Sequence, residues 1–218
     1  MSASLSAPIL PPFPPAGAPV RRGRSVRAVL ALMLREMASS YGKSFGGYFW
    51  AIAEPALGIA LLTFIFMLAL RTPSLGHNFP IFYASGFLPF FTYVTLQRKI
   101  SASLRFTKGL TNYPDVTFAD AILARFVLNL MTQIAVFYIV IAVIEASYET
   151  HTRHDYSQII LAMSMAGVLA LGVGVLNCFL FFHIPMLDRF WIIVNRPLFI
   201  LSGVLYVFEE IPRAYQGV

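Results

Sequence analysis

Three long stretches of this chain contain no Asp, Glu, Lys or Arg: those between Arg71 and Arg98, between Arg125 and Glu145, and between Asp155 and Asp188. Two further runs carry a single charge each, Glu54 within 52–70 and Arg196 within 190–208. Runs of about 20 apolar residues match a helix crossing ~30 Å of hydrocarbon. The basic residues between the runs alternate between rich and poor clusters. Starting from an inside N-terminus, the inside segments hold Arg21, Arg22, Arg24, Arg27, Arg35 and Lys43, then Arg98, Lys99, Arg105, Lys108 and Arg125, then Arg189 and Arg196. The outside segments hold only Arg71, Arg153 and Arg213. That asymmetry is the positive-inside bias of a multispan membrane protein and predicts a cytoplasmic N-terminus.

Composition narrows the class further. The chain is 58% apolar and only 12% charged, whereas about a quarter of residues are charged in soluble domains. A net charge of +6 could suit a nucleic acid, but the basic residues sit at the ends of apolar runs. They are read as topological charge in contact with anionic headgroups, with no nucleic-acid partner. The single cysteine, Cys178, lies within an apolar run and excludes both an intramolecular disulfide and a Cys-based zinc site. Residues 1–20 are rich in Pro, Ala and Ser without a positive charge, which argues against a cleaved signal.

In chain order, residues 1–23 read as a disordered Pro-rich cytoplasmic tail. Over 24–41, Val26, Val29, Leu30, Met33, Leu34 and Met37 recur at helical spacing, with Arg24, Arg27, Arg35, Glu36 and Ser39 towards the other side. The pattern predicts an amphipathic helix lying in the inner interface. Tyr41-Gly42-Lys43 and Gly46-Gly47 turn the chain, and Tyr48, Phe49 and Trp50 form an aromatic anchor at headgroup level. Spans are expected over about 50–70, 79–97, 121–144, 157–182 and 190–207. Asn129 and Gln133 in the third span share a face, and Gly167, Gly172 and Gly174 in the fourth would allow close helix approach. Between the second and third spans, 104–110 could form two helical turns before Tyr113-Pro114 ends them.

Few residues could carry chemistry. There is no phosphate loop of the form GxxxxGK[ST], and no lysine follows Lys108, so the chain is not expected to hydrolyse a nucleotide or to bind a cofactor itself. His151, His154 and Asp155 lie close together in an external loop, a spacing that chance supplies often, so no metal site is expected. No Asp lies within a span, and a membrane-bound glycan or lipid enzyme has no positive sign. Glu54 and Arg196 are more informative, because an ionised group in hydrocarbon costs about 2.5–3.5 kcal/mol on insertion scales. Glu54 is expected to reach the interface or to pair with Arg35 or Lys43; Arg196 snorkels or faces a polar pathway. The second span is dense in rings, among them Tyr83, Phe87 and Phe90, which could face lipid, pack between helices or offer footholds to a polymer of sugars.

Leu34-Arg35-Glu36, Tyr41-Gly42-Lys43 and the block from Gly47 to Pro55 (GYFWAIAEP) resemble the permease subunits of type-2 ABC exporters, most of all those that export capsular polysaccharide. The likeness continues through Gly86-Phe87-Leu88-Pro89-Phe90-Phe91, through 109–116 with Asn112, Tyr113, Pro114 and Asp115, and through Ala124-Arg125, Arg196-Pro197-Leu198 and 211–215. It implies an all-α polytopic protein of the type-2 exporter fold, with an interfacial helix and five spans where the family has six. The absent sixth span is expected to reflect truncation. The resemblance implies a bacterial inner-membrane homodimer with two cytoplasmic ABC ATPase subunits, which would bind the ATP and Mg²⁺, and with periplasmic adaptor and outer-membrane export proteins. The cargo would be a lipid-linked acidic polysaccharide; O-antigen, teichoic acid or a small hydrophobic drug are alternatives. The segment 104–115, with Arg105 and Lys108, would couple to the ATPase. Arg35, Glu36, Tyr48, Trp50 and Glu54 would form a gate or interfacial set, and Tyr83, Phe87, Phe90 and Arg196 are candidates for the pathway.

Overall fold

The structure, a computed structural model, describes residues 22–40, 47–69, 78–107, 117–148 and 155–204. The elements in order are α1 (Arg22–Ser40), α2 (Gly47–Ala69), α3 (Phe79–Ser101), α4 (Ser103–Thr107), α5 (Phe118–Ser147), α6 (Tyr156–His183) and α7 (Met186–Leu201). The expected tail, the turn at 41–46, the loop holding His151 and His154, and residues 205–218 lie outside the described residues.

Four stretches are long and apolar enough to cross a membrane: Phe49–Ala69, Phe79–Arg105, Phe118–Ser147 and Tyr156–His183. The shortest has 21 residues, which at ~1.5 Å per residue reaches ~30 Å. The fold is that of an all-α polytopic membrane protein. Hydrocarbon offers no water to backbone amides, so each must be paired inside its own helix. The first four expected spans coincide with α2, α3, α5 and α6. The fifth begins earlier than expected, at Met186 rather than 190, and α7 has 16 residues. Asp188, Arg189 and Arg196 interrupt its apolar run, so among the described residues it falls short of a crossing.

Local chemistry sets several helix starts. Asp155 accepts hydrogen bonds from the Ser157 and Gln158 amides at 3.0 and 3.4 Å, capping α6. At α5 a capping box holds the first turn: the Thr117 hydroxyl accepts from the Asp120 amide at 3.2 Å, and the Asp120 carboxylate accepts from the Thr117 amide at 3.1 Å. This box starts α5 at Phe118, three residues before the expected start.

The long helix α3 is the centre of the bundle. It buries residues along its whole length, from Phe79 and Tyr83 through Leu88 and Leu96 to Ile100. It packs most extensively on α6 and also meets α2 and α5. The α3–α6 approach depends on Gly174: a Cβ there would lie 2.8 Å from the Ile100 Cβ and 3.3 Å from the Gln97 carbonyl oxygen. Gly167 is also buried, beside Leu130 and Phe126 of α5. The expectation that all three glycines of α6 serve packing is corrected at Gly172, whose missing side chain would point into open space. By contrast, α2 buries little beyond Pro55, Ile59 and Thr63, and turns Leu57, Leu61, Phe64 and Leu68 outward.

Helix α1 has three faces. Val29, Leu32, Met33 and Glu36 turn towards the bundle, where α1 lies against α5. Val26, Leu30, Leu34 and Met37 form an exposed apolar stripe, and Arg27 and Arg35 occupy a third, exposed side. One stripe on protein, one for acyl chains and one for water is the geometry of an interfacial helix. Glu36, which the sequence pattern grouped with the polar side, instead belongs to the protein-facing side.

Overpacking a tight helix contact costs about 1–3 kcal/mol. Gly174→Ala is therefore expected to lower the thermal stability of the detergent-solubilised protein, whereas Gly172→Ala leaves it unchanged or raises it. Melting curves of the two variants side by side check this.

Candidate functional site

Among the described residues, two ion pairs and a cavity lie at the basic end of the bundle. The first pair is buried. Arg125, in the second turn of α5, is 7% exposed, and its Nη2 donates to the Glu36 carboxylate at 3.0 Å. Its Nη1 donates to the Lys99 carbonyl oxygen near the end of α3 at 3.2 Å. One guanidinium thus joins α1, α3 and α5, and its planar fork suits two acceptors at once. Beneath it a polar layer continues on the same face of α5. Asn129 and Gln133 are both buried, as their spacing implied, and the Asn129 amide donates to the Arg125 carbonyl oxygen at 2.8 Å.

The second pair lies near the surface. Arg105 on α4 donates to the Asp188 carboxylate, in the first turn of α7, at 2.8 Å. Its other nitrogen reaches the Phe181 carbonyl oxygen of α6 at 3.4 Å. Both side chains are about two-fifths exposed, at 43% and 40%, so the pair adds at most about 1 kcal/mol. Its importance is connective: α4 touches both α6 and α7 through one side chain.

A cavity of about 650 Å³ opens beside this pair, between the second half of α3 and α7. Its wall carries Arg98, Arg105 and Arg196 against the single acid Asp188, together with Phe90 and Trp191. Three cations against one anion make it a concave basic surface with aromatic sides. α7 is held there by rings: Phe199 meets Phe90 at 5.5 Å and Phe87 at 6.1 Å between centroids, both edge-on.

The structure brings Phe90, Arg105 and Arg196 together on this cavity and separates others from it. Tyr83 is 1% exposed, wedged among Phe66, Phe79 and Phe82 at 5.1–6.3 Å, so within this chain it packs the core. Phe87 lies over Gly58 of α2 and stacks on Phe91 at 5.8 Å. Arg35, Trp50 and Glu54 are exposed, and no ion pair joins Arg35 to Glu54. The side chain of Tyr48, together with Lys43, Lys108, Asn112, Tyr113, Pro114 and Asp115, lies outside the described residues. Residue-by-residue reading of the sequence missed Arg125, Asp188, Trp191 and Asn195. Arg125 had a signal, a lone cation in the first turns of a span, where burial demands a partner; the others stand out only once α7 is folded against α3.

The fold, with its basic cavity, is that of an all-α polytopic membrane protein. The chain is similar to a polysialic acid transport protein and to capsule polysaccharide export inner-membrane proteins. Over 197 residues the chain is 28% identical to the polysialic acid transport protein KpsM of Escherichia coli, covering 89% of this chain and 76% of that one. It is 23% identical over 192 residues to the capsule polysaccharide export inner-membrane protein CtrC of Neisseria meningitidis serogroup B, covering 87% and 72%. It is 19% identical over 192 residues to the capsule polysaccharide export inner-membrane protein BexB of Haemophilus influenzae, covering 88% and 72%. No family model matches the chain. The relatives bear out the resemblance to capsular polysaccharide export permeases carried by residues 34–55.

Removing one member of a buried ion pair leaves an uncompensated charge and costs on the order of 3–5 kcal/mol. Arg125→Met and Glu36→Gln are each expected to detach α1, read as faster proteolysis within 22–40. The exchange Glu36→Arg with Arg125→Glu restores part of the protection, and equal cleavage of all variants and the parent would refute the pairing.

Proposed function

We propose that this chain is the transmembrane subunit of an ATP-driven exporter, moving a lipid-linked acidic capsular polysaccharide from the cytoplasm across the inner membrane. The observation that carries this reading is the similarity, over nearly the whole chain, to a polysialic acid transport protein and two capsule polysaccharide export inner-membrane proteins. In this reading two copies form the membrane core, two ABC ATPase subunits hydrolyse ATP, and adaptor and outer-membrane proteins continue the route. The N-terminus and the basic end of the bundle face the cytoplasm, in keeping with the distribution of Lys and Arg.

The geometry supplies a mechanical route for such a cycle. α4 follows α3 after a single residue, Ala102, and Arg105 links it to α7 and to the end of α6. A push delivered to 104–115 by an ATPase would move α3 and α7 together, and these are the walls of the basic cavity. Packed helices shift as rigid bodies, so a short helix can transmit a displacement that a loose loop would absorb. Arg105, Lys108, Asn112, Tyr113, Pro114 and Asp115 form the docking segment in this account. Arg35, Glu36, Tyr48, Trp50 and Glu54 border the inner interface, and Phe90 and Arg196 face the pathway.

Deleting the gene in its host tests the reading. Polymer is expected to disappear from the cell surface and accumulate inside, and the wild-type gene restores it. Normal surface polymer in the deletion strain would refute it. The double reversal Arg105→Glu with Lys108→Glu is expected to reduce co-purification of the ATPase severalfold while leaving membrane insertion intact. Full retention of the ATPase would remove the coupling role.

A further inference from the structure

The start of α4 rests on α6 through contacts that run in step along both segments. Gly174, Cys178 and Phe181 lie at i, i+4 and i+7, on one face of α6. Gly174 admits Ile100 and the Gln97 carbonyl oxygen of α3. One turn further along, the Ser103 and Leu104 amides, the first two of α4, hydrogen-bond to the Cys178 sulfur. Beyond that, the Phe181 carbonyl oxygen accepts from Arg105 at 3.4 Å. The three contacts straddle Ala102, where α3 gives way to α4. Cys178 is at their centre and is 1% exposed, with Ser103 equally buried beside it. Two features suit this joint to movement. A thiol sulfur is a weak hydrogen-bond acceptor, so it orients the two amides without locking them. Cys178 also lies close to the C-terminal end of α6 at His183, about 8 Å along the axis, and there the α3–α4 joint covers it.

We infer that this face of α6 is the seat from which α4 lifts during the transport cycle, with Cys178 as its positioning residue. In this structure α4 is seated: the sulfur sets where the short helix begins, and Arg105 ties its outer turn to Asp188 and to Phe181. A push on the segment that follows α4 breaks the two amide–sulfur contacts and uncovers the thiol. α6 keeps its place in the bundle while the joint moves over it. The origin of the push rests on the export reading. The seat does not, because it can be read on the purified chain without transport.

Cys178 is the sole cysteine of the chain, so uptake of N-ethylmaleimide, read as the mass of this chain, reports on the seat alone. Labelling of the purified full chain is expected to be slow. Arg105→Gln, which cuts the links of α4 to Asp188 and Phe181, speeds it severalfold. In the complex with its ATPase, ATP with orthovanadate speeds labelling severalfold over the nucleotide-free complex. Coupling is the second readout. Cys178→Ser keeps an acceptor for both amides and retains the amount of polymer exported per ATP hydrolysed. Cys178→Ala removes the acceptor and lowers that ratio severalfold while ATP hydrolysis continues. A merely structural role would lower export and hydrolysis together and leave the ratio unchanged. The inference is overturned if Arg105→Gln or ATP with orthovanadate leaves labelling unchanged, or if the Ser and Ala variants couple alike. A complex that hydrolyses ATP but moves no polymer would refute the export reading instead, and labelling of the chain alone would still decide the seat.

Discussion

A buried guanidinium fixes the architecture of the basic end. Arg125 lies beneath α1, about 10 Å along α5 from its start, too enclosed to reach water by extending its side chain. Glu36 and the Lys99 carbonyl oxygen accept its hydrogen bonds and offset the cost of burying its charge. Burying such a pair is no gain over apolar packing, but breaking it is costly. Its effect is therefore specificity: α1 must dock at one position, with one rotation, against α3 and α5. That rotation sets the apolar stripe of Val26, Leu30 and Leu34 outward.

With α1 fixed, the remaining charges divide by depth and partner. Arg105 and Asp188 form an exposed, readily exchanged contact, suited to switching, whereas Arg125 and Glu36 form an enclosed one, suited to holding. The first connects α4 with the end of α6 and the start of α7, beside the cavity. The second holds α1 on α5.

Much of the frame was legible in the sequence because hydrocarbon imposes a simple rule. A run without charge for about 20 residues must be a helix with its ends in water, and α2, α3, α5 and α6 follow the expected boundaries within a few residues. The box of Thr117 and Asp120 moved the start of α5, a three-residue capping pattern that apolar length alone does not register. α7 was the hard case: an early start at Met186 and three charges make it a cavity wall, with no buried residue of its own. Glu36 was misplaced because periodicity divides a helix into two faces, and α1 has three. Tyr83 and Phe90 look alike in sequence, yet one fills the core and the other lines the cavity. Seven residues apart, they share nearly one face of α3 and differ in height by about 10 Å, which puts Tyr83 among Phe66, Phe79 and Phe82 and Phe90 beside Phe199 of α7.

The central claim is vectorial movement of an acidic glycan driven by a partner ATPase. Its most direct measurement uses inside-out membrane vesicles or proteoliposomes containing this chain and its ATPase, supplied with fluorescently labelled lipid-linked capsular polymer. The account predicts that polymer becomes protected from an added depolymerase only when ATP and Mg²⁺ are present, and that the chain without the ATPase gives no protection. Protection independent of ATP, or chemical turnover of the lipid-linked glycan by the chain alone, would contradict it.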